Sequence, residues 1–325
     1  MSKILIIRFS SIGDIVLTSP VIRCLKQQLK DCEIHYLTKK SFLPVLKANP
    51  YIDKIHLFDN NLEELITQFK TENFDFIIDL HNNLRSLKVK LKLRKPAYSF
   101  SKLNYEKWIL VNFKLNKLPA IHIVERYLET VKSLGVINDQ KGLDYFIPQG
   151  DEIALDSLPE QFRNEYAGFV IGGQYATKQL EAEKMIEICR RIKNPIILLG
   201  GKEDFDAGEK IASHVGREKV LNVCGKYSLN QSASLVKQAK IIISHDTGLM
   251  HIAAAFKKDI VSVWGNTVPE FGMYPYMPGE NSYISEVKEL PCRPCSKIGY
   301  SICPKKHFYC MKLQDEVEIG IRVNK

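Results

Sequence analysis

Close to the start of the chain stands Ile4-Leu5-Ile6-Ile7-Arg8-Phe9-Ser10-Ser11-Ile12-Gly13-Asp14, and behind it Leu17, Val21, Leu25 and Leu29 recur at helical spacing. Four consecutive apolar residues form a fully buried strand, and the later apolar set shares one helix face, so the order is strand, loop, helix. The same order continues with strand patterns at 33–37, 54–57 and 74–78 and helix patterns at 62–69 and 124–134. It breaks at Ile147-Pro148-Gln149-Gly150-Asp151-Glu152, followed by Pro159-Glu160, and then restarts. Strand patterns at 168–171, 196–199, 241–243 and 260–263 accompany helix patterns at 182–191 and 249–255. Such alternation predicts an α/β protein of parallel strands with crossover helices. Two doubly wound domains are expected, 1–150 and 151–325, with ligands bound in a cleft between them beyond the carboxyl ends of the strands.

The composition fits this reading. Of 325 residues, 45% are hydrophobic and 26% charged, the balance of a globular chain with a substantial core. No apolar run approaches the roughly 20 residues of a membrane-spanning helix. The chain reaches Arg8 after a short apolar run without a small-residue cleavage site, so a cytoplasmic location is expected. The net charge of +9 is unevenly spread: residues 1–150 carry 23 basic against 15 acidic residues, and residues 151–325 carry 23 against 22. The excess concentrates between Arg85 and Lys117, where ten basic residues meet a single acid, Glu106, interleaved with Tyr98, Phe100, Tyr105 and Trp108. Nucleic acid, an anionic membrane surface and a phosphorylated glycolipid all suit that stretch, and so does a merely solvated basic face.

The first loop carries one glycine, Gly13, where the backbone can pass close to a ligand, and Asp14 opens the helix. Asp14 reads either as a cap for free backbone N–H groups or as a general base for a hydroxyl entering the cleft. A nicotinamide dinucleotide is excluded by the lack of G-x-G-x-x-G. In the second half a strand delivers His245-Asp246-Thr247-Gly248-Leu249-Met250-His251 to an Ala-rich helix, offering amides and a positive dipole end to a phosphate. Asp246 can accept sugar hydroxyls and Thr247 can add a hydroxyl contact; an Asx-type cap with His251 as an ordinary helix histidine is the bland alternative. Gly172-Gly173-Gln174-Tyr175-Ala176-Thr177-Lys178 also follows a strand, and Lys178 can neutralise a diphosphate without a metal. Leu199-Gly200-Gly201-Lys202-Glu203-Asp204 closes another strand with a carboxylate suited to ribose hydroxyls. Finally, Cys292, Cys295, Cys303 and Cys310 cluster as C-x2-C-x7-C-x6-C, which reads as a structural zinc knuckle or as reduced thiols in a Pro-rich loop.

Taken together these motifs resemble glycosyltransferase family 9, the lipopolysaccharide heptosyltransferases. Arg8 to Pro20 is similar to that family's opening and Ser244 to Ala255 to its nucleotide-sugar signature, with Gly172–Lys178 and Leu199–Glu203 between them in order. The Cys-rich tail with His307 is similar to that of heptosyltransferase II-like members. The resemblance implies a GT-B fold of two Rossmann-like domains. It implies an inverting, metal-independent transfer from ADP-heptose, held by the later domain, to a lipid A–Kdo core acceptor held by the first. It makes Asp14 the catalytic base on an acceptor-side loop with Ser10, Ser11 and Gly13. Lys178, Thr247 and Gly248 would hold the diphosphate, Asp246 and His251 the sugar, and Glu203 the ribose. Neither cofactor nor nucleic-acid partner is expected, and any membrane contact is peripheral, at the inner face of the cytoplasmic membrane. Family members follow the Lys with Arg-Trp, whereas this chain has Gln179-Leu180. A transferase using another nucleotide sugar, an epimerase-like relative and a zinc-stabilised nucleic-acid-binding protein are the rival readings.

Overall fold

The computed structural model describes residues 2–325. The chain separates into two compact units, one running to Lys102 and resuming over Ile121–Pro148, the other comprising Leu103–Ala120 and Gln149–Lys325. The division at Pro148 lies two residues before the boundary expected from sequence, and the basic stretch from Arg85 to Lys117 is shared between the units.

The first unit is a five-stranded parallel sheet built from β1 (Ser2–Ile7), β2 (Cys32–Lys39), β3 (Lys54–Phe58), β4 (Phe76–Asp79) and β5 (Ala97–Ser99), in the order β3-β2-β1-β4-β5. Leu5, Ile7, Phe9, Leu37, Ile66, Phe69, Phe74, Ile77 and Val89 are buried together on one of its faces, as near-continuous apolar strands covered by helices require. The direction of winding reverses between β1 and β4. That reversal leaves the loops after these two strands side by side at the carboxyl edge, where α/β sheets bind ligands.

The second unit is a six-stranded parallel sheet of β6 (Ala167–Val170), β7 (Ile196–Leu199), β8 (Val220–Asn222), β9 (Ile241–His245), β10 (Asp259–Trp264) and β11 (Tyr283–Glu286), ordered β11-β10-β9-β6-β7-β8. Here the reversal falls between β6 and β9, so the loop 171–178 and the Asp246–Gly248 turn share one edge. Leu103–Ala120 joins this unit through Leu110, packed with Val268 and Phe271, and through Lys114, whose ammonium donates to the carbonyls of Cys292 and Pro294 at 3.2 and 2.6 Å. Among the described residues no helix is long and apolar enough to cross a membrane.

Candidate active site

At the reversal in the first unit, the backbone leaves β1 through Phe9-Ser10 and enters a short helix, Ile12–Val16, with Ser11 as its N-cap. Asp14 occupies the third helical position, and its Oδ2 accepts from the Ser11 amide at 3.2 Å and from the Ser11 hydroxyl at 2.8 Å. The capping geometry considered from sequence is therefore present. A second anchor was not foreseen: the Arg8 guanidinium lies 2.6 Å from Asp14 Oδ1. Arg8 is itself buried, donating to the carbonyls of Ser10 and Leu80 at 2.7 and 2.6 Å and to the Tyr127 hydroxyl at 2.9 Å. An ion pair fixes a carboxylate's orientation and favours its charged, proton-accepting form. Gly13 is buried at the helix start, where its carbonyl accepts from Leu17.

The neighbouring loop after β4 supplies His81, a residue outside the sequence reading. Its ring meets Phe9 edge-on at 5.3 Å, and its Nδ1 is buried without a hydrogen-bond partner among the described residues. Burial, reinforced by Arg8 and Lys102, holds its pKa down to about 4. The loop is fixed by Asp79, fully buried, whose Oδ1 accepts the amides of His81 and Asn82 at 3.1 and 2.7 Å while Lys90 lies 2.8 Å from Oδ2. The signal was legible in principle, since Asp79-Leu80-His81-Asn82 sits at the carboxyl end of a strand beside the first one.

At the reversal in the second unit the structure joins two residues 68 positions apart: Lys178 Nζ lies 2.5 Å from Asp246 Oδ2, with both side chains mostly buried. Thr267, from the loop after β10, donates to the same oxygen at 3.2 Å. Thr247 caps the helix Gly248–Ala255, with its hydroxyl 3.2 Å from that of Ser244. The first amides of this helix are the free donors an anion can take. His251 lies one turn further in and is only 2% exposed. His245 ends β9 fully buried, its Nε2 accepting the Leu180 amide at 3.0 Å, and burial holds its pKa down to about 4. So Leu180 anchors the Lys178 loop through its backbone. Asn266, beside Thr267, is 1% exposed with both side-chain polar atoms unpartnered among the described residues.

In the loop after β7 Glu203 is exposed, whereas the adjacent Asp204 is buried, accepts from the Gly201 amide at 2.8 Å and is held above the usual carboxylate range by burial. Asp204 closes against the glycine loop: a β-carbon on Gly172 would come within 2.2 Å of its Oδ2. Asp204, His81, Arg8, Thr267 and Asn266 are thus the additions to the set read from sequence.

With that geometry established, comparison with known proteins is informative. The model of "Glycosyltransferase family 9 (heptosyltransferase)" matches residues 62–302. The lipopolysaccharide heptosyltransferase 1 of Campylobacter coli is 26% identical over 291 residues, covering 82% of this chain and 84% of its own length. The structure of Escherichia coli ADP-heptose lipopolysaccharide heptosyltransferase II superposes with a TM-score of 0.70 at 20% identity, covering 98% of this chain and 99% of that one. The Escherichia coli heptosyltransferase WaaC with ADP-2-deoxy-2-fluoro heptose superposes with a TM-score of 0.65 at 22% identity, covering 91% of this chain and 96% of that one. Two parallel α/β units with these structural relatives make the fold of the GT-B type.

Proposed function

This chain belongs to glycosyltransferase family 9, and on that premise we propose that it transfers heptose from ADP-heptose to the inner core of lipopolysaccharide, with a lipid A–Kdo acceptor. The observation that carries the donor half is the Lys178–Asp246–Thr267 cluster beside a helix N-terminus. In this reading the diphosphate takes the Lys178 ammonium and the first amides of the helix begun at Thr247–Gly248, while Asp246, shared with Thr267, turns to sugar hydroxyls. His251 supports that turn from within the helix, and Glu203 stands at the ribose end.

The chemistry is a single displacement. The acceptor hydroxyl oxygen bonds to the anomeric carbon as the bond from that carbon to the ADP oxygen breaks, and Asp14 takes the hydroxyl proton. Configuration inverts, and the charge on departing ADP is met by Lys178 and backbone dipoles in place of a divalent ion. Arg8 and Ser11 keep Asp14 aimed, and neutral His81 next to the loop adds a proton acceptor that carries no charge of its own at pH 7.

The acceptor is an anionic glycolipid, and a peripheral membrane contact belongs to the same proposal. The helix Leu84–Leu93, which begins directly after the His81 loop, exposes Leu84, Leu87 and Leu91 on one stripe, with Arg85, Lys92, Arg94 and Lys95 exposed around it. Apolar side chains ringed by basic ones suit an anionic lipid surface.

The test is mass spectrometry of a lipid A–Kdo acceptor incubated with the protein and ADP-heptose, alongside ADP-, UDP- and GDP-hexoses. The acceptor is expected to gain one heptosyl unit from ADP-heptose alone. Gain of a hexose with no gain of heptose would replace the donor assignment.

A further inference from the structure

The segment Leu103–Ala120 packs within the second unit, and its helix, Asn104–Phe113, commits only one side to that packing. Lys107, Leu110, Val111 and Lys114 stand at i, i+3, i+4 and i+7 and so share a face. All four are spent on the unit beneath. Leu110 and Val111 pack with Val268 and Phe271, the Lys107 ammonium stands 5.8 Å from the centre of the Phe271 ring, and Lys114 donates to the carbonyls of Cys292 and Pro294. The side that remains is aromatic. Tyr105 is 69% exposed, Trp108 49% and Phe113 59%, with Leu115 just past the helix at 58%. These rings form one continuous surface: Tyr105 stacks with Trp108 at 6.4 Å between centres, and Phe113 meets Trp108 edge-on at 5.3 Å. A contiguous apolar patch of this kind marks an interaction site, whereas singly scattered exposed residues do not.

We propose that the aromatic face of Asn104–Phe113 seats the second unit on an anionic bilayer. This extends to that unit the peripheral contact described above for Leu84–Leu93, and it rests on the same reading of the acceptor as an anionic membrane glycolipid. Two features select a lipid surface. The first is the residue set: Trp and Tyr carry an apolar ring with a polar edge and settle at headgroup level, while Phe and Leu enter the acyl boundary. The second is charge. Residues 102–117 carry Lys102, Lys107, Lys114 and Lys117 against Glu106 alone, and exposed Lys117 and half-buried Lys102 flank the rings. Anionic headgroups attract such an excess.

The helix has 10 residues, half of what a bilayer crossing needs, so it lies in the plane of the interface. Its inner face then acquires a second meaning. Val268 and Phe271, on which it packs, directly follow Thr267, the residue that donates to Asp246. A helix held at the lipid surface therefore holds the donor loop of its own unit close to that surface as well.

The chain supplies its own probe. It has two tryptophans, and the other, Trp264, is 1% exposed and donates to Ser262 Oγ at 3.1 Å, so Trp108 reports on the surface and Trp264 on the fold. Full-length protein is mixed with vesicles of phosphatidylglycerol and phosphatidylethanolamine. Tryptophan emission is expected to move to shorter wavelength, and to be quenched when the acyl chains carry bromine. Trp108→Phe should still sediment with the vesicles and show neither change. The double variant Trp108→Ser, Phe113→Ser should partition about tenfold more weakly, with Trp264 emission unchanged as the sign of an intact fold. Vesicle-bound wild-type protein with unshifted, unquenched emission would overturn this face and leave Leu84–Leu93 as the contact, and so would full partitioning of the folded double variant. A shift that grows with protein concentration in the absence of lipid would give the face to a second copy of the chain and overturn the lipid assignment. Failure of the wild-type protein to bind vesicles at all would overturn both membrane contacts together. None of these measurements reads sugar transfer, so transfer from ADP-heptose stands or falls separately.

Discussion

Gly172 leaves no room for a β-carbon, because the Asp204 carboxylate is folded against it. Gly172→Ala is therefore expected to displace Asp204 and the loop leading to Lys178. The cost is about 1–3 kcal/mol, typical of overpacking, and is read as a lower urea midpoint with unchanged m-value. A neutral Lys178 variant acts differently. Lys178→Ala removes the charge proposed to meet a diphosphate and leaves Asp246 with Thr267, so on that proposal ADP affinity measured by calorimetry should fall about 10–100-fold, or roughly 1.4–2.8 kcal/mol. Wild-type affinity in that variant would count against the diphosphate role. Three histidines share another property: burial holds His56, His81 and His245 near pKa 4, below the ordinary 6.5 of an unfolded chain. Between those values the unfolded state binds protons the folded state refuses, so stability falls as pH drops from about 6.5 towards 4 and is unaffected by these groups above 7. Each full shift is worth on the order of 3 kcal/mol, and urea melts at pH 7.5 and 5 should show the loss. Equal midpoints would contradict the buried, neutral state.

The helix Leu84–Leu93 shows where pattern and structure part. Lys88, Lys90 and Lys92 alternate with Val89, Leu91 and Leu93, a period of two and not the 3.6 of a helix. The local signal that wins is the capping box, Asn83 accepting from the Ser86 amide at 3.0 Å and Ser86 from the Asn83 amide at 2.9 Å, and Ser86 and Val89 then supply the buried face. Leu84, Leu87 and Leu91, three and four residues apart, then form an exposed stripe on the helix. Replacing Leu84 and Leu91 with Ser should at least halve sedimentation with anionic vesicles and leave binding to neutral ones, already weak, unchanged; full retention would remove this helix from the membrane contact. Elsewhere the apolar cores of β1, β6, β7, β9 and β10 were legible because parallel strands buried on both faces need unbroken apolar runs. β5 and β8, three residues each at sheet edges, carry too little pattern to read. Arg8 eluded the reading for a related reason: its role depends on Leu80 and Tyr127, more than 70 positions away, and spacing cannot show such partners.

At the scale of the whole molecule, two units with the same winding each place a candidate half-site at their own reversal point: the Asp14 loop in one, the Lys178–Asp246 cluster in the other. The charge excess of residues 1–150 suits an anionic acceptor on the first, and the near balance of residues 151–325 suits a nucleotide sugar met by a few placed groups on the second. In the proposed reaction Asp14 takes the acceptor proton, and a cap and a base are separable by substitution. Ser11→Ala removes the hydroxyl that supports the carboxylate and keeps the charge; Asp14→Asn keeps the shape and removes the proton acceptor. The decisive measurement is single-turnover transfer from ADP-heptose to a lipid A–Kdo acceptor by these two variants, with ADP affinity measured alongside. A general base predicts that Asp14→Asn is slower by about 100- to 10,000-fold with ADP affinity unchanged, and Ser11→Ala by less than about tenfold. Near-normal turnover in Asp14→Asn, or equal losses in both variants, would contradict the assignment of Asp14 as the base.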